Sequence, residues 1–182
     1  MKRWLIPCLI LWLAGVSPAL ATDTGSRTVI TFGGAITKAN RPAVGPQDTG
    51  LFRVMGVAFD KGYAFDNAAL AGLPQMMIMA KRPDQPEATG AFSGPRLADL
   101  AGLAGAKGKL LTAWALDGYQ AEITPELIAE YGPILATHLD GVALGMGGLG
   151  PAMIVFPDNE NAELEEQLGA LEVWALIYIG VQ

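Results

Sequence analysis

Apolar and β-branched residues recur along this chain in short runs broken by Gly, Pro and Asn, a spacing that predicts strands with brief helices between them. Residues 27–37, RTVITFGGAIT, predict a first strand, and 38–50, KANRPAVGPQDTG, a loop. LFRVMGVAF, residues 51–59, predicts an extended segment. Asp66 can cap a helix that must end before Pro74. QMMIMA, residues 75–80, predicts a short buried strand, and KRPDQPEATG, residues 81–90, a polar loop.

The clearest helix signal lies in residues 92–106, FSGPRLADLAGLAGA. Pro95 suits a first helical position, Leu97, Leu100 and Leu103 share one face, and Gly105 can end the helix. Residues 109–123, KLLTAWALDGYQAEI, read as two strands joined at Asp117-Gly118, a tight-turn dipeptide. Thr124-Pro125-Glu126 opens another short helix, and Asp140-Gly141 marks a second hairpin in PILATHLDGVAL, residues 133–144. AMIVFP, residues 152–157, predicts a strand, and residues 158–169 form an acidic, solvated stretch. In the closing LEVWALIYIGV, residues 171–181, strict alternation would turn Trp174, Leu176 and Tyr178 one way and Ala175, Ile177 and Ile179 the other, a strand buried on both faces. The order of these elements is α+β, with mixed and antiparallel sheets, rather than a regular βαβ alternation.

Gly145-Met146-Gly147-Gly148-Leu149-Gly150 matches G-x-G-x-x-G, yet Pro151 and an apolar strand follow it where a dinucleotide fold needs a helix N-terminus. It reads as a loop between a hairpin and a strand. At the N-terminus, Lys2 and Arg3 precede an uncharged apolar run, and Ala19 and Ala21 stand as a signal-peptidase site. The expected product is residues 22–182, a single exported domain, periplasmic or secreted, with no span left after cleavage of residues 1–21. The net charge of −6 at pH 7, with no basic cluster, argues against nucleic acid as a partner. The one cysteine, Cys8, falls in the leader, so the exported chain has no thiolate for a disulfide, a metal or nucleophilic attack.

Several of these segments, taken in order, resemble the molybdopterin-binding domain of sulfite-oxidase-type oxidoreductases. The likeness runs from Gly33, Ala35 and Ile36 through a G-x-x-L-x-x-L helix (Gly94, Leu97, Leu100) and A-L-D-G-Y (Ala115 to Tyr119). It continues through an apolar strand into Asp140-Gly141, then Gly150-Pro151 before a strand ending at Pro157, and ends on Val173-Trp174. The resemblance implies that fold for residues 22–182, and in its enzymes a pterin dithiolene and a protein cysteine hold molybdenum. That cysteine follows the strand matching residues 75–80, where this chain has Ala80-Lys81-Arg82-Pro83, and neither an ammonium nor a methyl replaces a soft anionic ligand. Met153 and Val173 stand where the resemblance places an arginine and a lysine. Molybdenum cofactors are inserted before export, usually under a twin-arginine signal, which Lys2-Arg3 is not. The expectation is therefore no catalytic residue, no bound metal and no cofactor, and a binding module for a small anionic ligand or a membrane-associated partner protein. The alternatives are a molybdopterin-dependent oxidoreductase without a protein thiolate, or a periplasmic sensory subunit of a membrane signalling protein.

Candidate ligand-binding residues follow from charge and position. Lys81, Arg82 and Arg96 are the cations best placed for an anion; Asp117 shapes its turn and Tyr119 can offer a hydroxyl. His138, the single histidine, can carry a proton but has no second imidazole for a metal. Met76, Met77 and Met79 read as core-filling thioethers in preference to a copper(I) site.

Overall fold

The computed structural model describes residues 27–182 of the 182-residue chain. The expected leader, its cleavage site and Cys8 lie outside the described residues. Strand β1 (Thr28–Gly34) is followed by a long loop and one turn of helix, α1 (Leu51–Val54). Residues 51–59 are thus not extended throughout, and only Phe59 pairs, with Val44. Strand β2 (Gly62–Asp66) leads into α2 (Asn67–Ala71), whose Asp66 cap accepts from the Ala69 N–H at 2.7 Å.

β3 (Gln75–Arg82) and β4 (Gln85–Pro95) form a long antiparallel hairpin, so most of the expected loop at 81–90 is strand. β3 is an edge strand, and Met77 and Met79 are 68% and 57% exposed, not buried. α3 (Leu97–Ala104) begins one residue after Arg96, which takes the cap position, so Pro95 closes β4 instead of opening the helix. Its buried stripe is Leu97, Leu100, Ala101 and Ala104, and Gly105 ends it at φ 74°, the left-handed geometry that a Cβ resists.

β5 (Leu111–Ala115) and β6 (Gln120–Ile123) form the Asp-Gly hairpin, and α4 (Pro125–Tyr131) starts on a Thr124 cap. β7 (Ile134–Ala136), β8 (His138–Leu139) and β9 (Val142–Ala143) follow, with Asp140 and Gly141 at φ 50° and 77° in the turn of the second hairpin. The glycine stretch forms turns in which Gly145 O accepts from the Gly148 and Gly150 N–H groups, and β10 (Met153–Val155), not a helix, comes after it. The acidic segment contains α5 (Ala162–Gly169), capped by Asn161, and β11 (Leu176–Val181) closes the described chain.

Three sheets result. The largest runs β2-β1-β11-β5-β6, with β1 and β11 parallel and the other pairs antiparallel; β3-β4-β8-β9 and β10-β7 are the others. One face of the large sheet packs Ile30, Phe32, Leu111, Ile123 and Ile179 against α3 and Leu168 of α5. The β7–β10 ribbon is a shared wall: Leu135 and Ile154 join that core, while Ile134, Ala136, Met153 and Val155 pack with Ala80 and Phe92 of the second sheet. Period-two alternation in two short strands therefore serves two cores. On the far face of the large sheet, Phe59 stacks on Tyr178 at 5.8 Å between ring centres, with Phe52 and Trp114 beside them. A bulge between Leu176 and Tyr178 breaks the alternation expected of β11: Leu176 enters the main core, and Tyr178 and Ile177 the aromatic cluster. No helix of the described residues is long and apolar enough to cross a membrane.

Candidate functional site

Five of the six expected ligand contacts engage the protein itself through their side chains, and Arg96 does so through its backbone; they lie on different elements. Lys81, near the end of β3, lies 3.4 Å from Glu165 of α5, and its backbone N–H donates to Asp158. Arg82 makes two hydrogen bonds to Asp84 across the β3–β4 turn, at 3.2 and 2.9 Å; these raise the guanidinium's pKa and hold the Asp84 carboxyl below its ordinary range. The pair sits at the surface, with Asp84 exposed and Arg82 partly so, and adds little stability. Arg96 bridges to Ile134 through its backbone and lines a cleft of about 300 Å³ with Met76, Glu130 and Tyr131.

Asp117 accepts from the Tyr119 N–H at 2.9 Å, which is turn chemistry. The Tyr119 hydroxyl donates to Ala170 O at 2.6 Å and ties the β5–β6 hairpin to the end of α5. Tyr119→Phe is expected to lower stability by only about 1 kcal/mol, since the ring stays half-exposed and the carbonyl can turn to water; paired urea titrations of both proteins measure it. His138 sits half-buried on β8 between Ser93 of β4 and Ala143 of β9, with Nδ1 2.9 Å from Thr137 Oγ1. Lys81 and Arg96 line two separate clefts.

The donor chemistry at the position implied for a molybdenum cysteine can be judged directly. Ala80 is 1% exposed in the second core, Lys81 and Arg82 are held by carboxylates, and the described residues contain no cysteine. Nor do they contain a group of three or more His, Asp or Glu side chains spaced to hold a metal ion. Met153 and Val173, where the resemblance places cations, are both fully buried among apolar side chains. These residues do not fit a protein-ligated molybdenum centre.

A cleft elsewhere on the fold contains an arginine to which sequence reasoning gave no attention. The loop after β1 runs back along β2: the Asn40 side chain pairs with both backbone groups of Ala64, at 2.9 and 2.6 Å, and the Asn40 and Arg41 N–H groups both donate to Gly62 O. So anchored, Arg41 reaches over β1 and donates from Nη1 to Thr31 Oγ1 at 2.7 Å. Its guanidinium carbon lies 5.1 Å from the Phe52 ring centre and 5.4 Å from that of Phe59. No carboxylate among the described residues pairs with it, its Nε is buried without an acceptor, and burial pushes its pKa down. An arginine stays charged at any ordinary pH nonetheless. Arg41, Thr28, Thr31, Asp48, Leu51 and Phe52 help line a cleft of about 410 Å³, within the range of small-molecule sites. A second cleft of about 380 Å³, on the Trp114 side of the aromatic cluster, carries Gln120, Glu122 and Tyr178. Burial pushes the Tyr178 phenol up to about 12, so it remains a neutral donor.

No family model matches the chain. No curated protein matches it in sequence. Among solved structures it is similar to the sulfane dehydrogenase SoxCD from Paracoccus pantotrophus, with a TM-score of 0.57 and 16% identity over 87% of this chain. The match covers 39% of that chain, so the protein spans well under half the length of its structural neighbour. At such identity the likeness is one of fold, and it agrees with the α+β architecture that the sequence motifs imply: the chain has a sulfite-oxidase-like fold.

Proposed function

We propose that this protein is an exported binding module that uses a sulfite-oxidase-like scaffold without its redox chemistry and takes a small anionic ligand. The observation that carries the reading is the filling of the three positions at which cofactor and oxyanion contacts are implied. Ala80 is packed into the second core, Lys81 and Arg82 carry ion pairs to Glu165 and Asp84, and Met153 and Val173 are fully buried. Introducing a charge at either buried position would cost several kcal/mol, so these sites favour packing over ligand binding. Arg41, which has no carboxylate partner among the described residues and lines an open cleft, supports an anion as the ligand.

The test uses the full precursor, made in a bacterial host that synthesises molybdopterin and recovered from the periplasmic fraction. Elemental mass spectrometry is expected to find molybdenum far below one atom per chain, oxidised extracts to lack pterin fluorescence, and N-terminal sequencing to begin at Thr22. Stoichiometric molybdenum, or electron transfer to a dye with sulfite as donor, would overturn the non-redox reading. Retention in the cytoplasm with Met1 intact would overturn export.

A further inference from the structure

We infer that the Arg41 cleft is a recognition site for a small monocarboxylate with a compact apolar body. The inference deepens the reading above and rests on it for one premise, that the chain binds its ligand without converting it.

Three features select this chemistry. The guanidinium is fixed before any ligand arrives: Nη1 is committed to Thr31, and Phe52 and Phe59 lie close to the guanidinium carbon. A cation so constrained loses little freedom when it pairs, which favours binding. Nη1 accounts for its only hydrogen bond, so Nη2 has no protein acceptor among the described residues, and a planar carboxylate suits a guanidinium edge. Around Thr28 and Thr49 the remaining walls set Val29, Pro42, Val44, Leu51, Phe52 and Ile177, a mainly apolar lining that suits a hydrocarbon or aromatic body better than a fully hydrated inorganic anion.

Asp48 is the counterweight. It lines the same cleft, and its Oδ2 accepts from the Gly45 N–H. A single negative charge at the cleft wall disfavours dianions more than monoanions, which favours a ligand of charge one over a ligand of charge two.

Benzoate is the probe, titrated into isotope-labelled protein and followed by NMR, with benzamide as its neutral isostere and inorganic phosphate as the competing anion. Saturable shifts are expected at Arg41, Leu51 and Phe52, with benzamide at least about tenfold weaker because it lacks the charge. Arg41→Met, which keeps the apolar stem, is expected to weaken benzoate about tenfold or more. Asp48→Asn keeps an acceptor for Gly45 and removes the repulsion, so it is expected to tighten benzoate about threefold. If Arg41→Met fails to fold, the Asp48→Asn result and the benzamide comparison still decide. Equal affinity for benzamide, displacement of benzoate by equimolar phosphate, unchanged affinity in Asp48→Asn, or no saturable shift at millimolar benzoate would each overturn the assignment. Molybdenum in the purified sample would unseat the non-redox reading and leave these titrations standing; a failed titration would leave the metal result standing.

Discussion

Gly94→Ala is expected to destabilise the protein by about 3 kcal/mol or more, among the larger effects available to a single added methyl group. Gly94 lies near the end of β4, where the chain crosses β7. A Cβ built there would stand 2.8 Å from the Leu135 carbonyl carbon and 3.0 Å from the Ala136 Cα, and closer still to the Leu135 carbonyl oxygen. All three are backbone atoms of the ribbon that divides the two main cores, so no side-chain rotation can relieve the clash. The glycine that opens the G-x-x-L-x-x-L motif thus has a packing reason in this chain, independent of any cofactor. Gly102→Ala, inside α3 with nothing within 4 Å of the new methyl, is the control. It is expected to stabilise by about 0.5–1 kcal/mol through helix propensity. Urea midpoints for both variants would refute the account if Gly94→Ala unfolded with the parent.

Stability is also expected to fall as pH rises from about 4.5 to about 7, because of Glu172. This carboxyl lies between β10 and β11, and Oε1 accepts from the Phe156 N–H at 2.9 Å. Burial pushes its pKa from 4.5 to about 7 against the pull of that hydrogen bond, and the carboxylates of Glu165 and Asp158 push in the same direction as burial. In that window the folded chain therefore holds a proton that the unfolded chain has released. The contribution is fully present below the unfolded value, declines through the interval and is absent above the folded pKa, a change on the order of 2–3 kcal/mol. Glu172→Gln keeps an oxygen for Phe156 and carries no charge. It should match the parent near pH 5 and exceed it at pH 8. Parallel pH dependences for the two proteins, measured by denaturant unfolding, would remove Glu172 as the cause.

What could be read in the sequence was the local chemistry. Asp66 and Thr124 cap helices, Asp117-Gly118 and Asp140-Gly141 turn hairpins, and Gly105 ends α3, because each acts on backbone groups a few residues away. The β3–β4 arm was hidden because two prolines and a run of polar residues sit in an exposed hairpin whose strands are held by pairing rather than burial. For the same reason Met77 and Met79, apolar in composition, face solvent on an edge strand. α5 escaped notice because its first turn is acidic and only Leu168 on it is fully buried. The register of β11 turned on a bulge that no alternation rule foresees. Arg41 gave no signal at all: Asn40 pairs with Ala64, and Arg41 itself meets Thr31, Phe52 and Phe59, so the site exists only once distant segments have met.

The middle strand of the largest sheet, β11, is supplied by residues 176–181, and its parallel neighbour β1 by residues 28–34. Nearly all of the described chain must therefore be synthesised before the central pairing can form, and the loop that this pairing closes is long. Entropy delays such a closure, so assembly should be slow for a domain of this size and should gather late into one cooperative step. Until then β1 and β5 have open hydrogen-bonding edges, a condition in which a chaperone able to mask bare strands would govern how much of the protein reaches its native form.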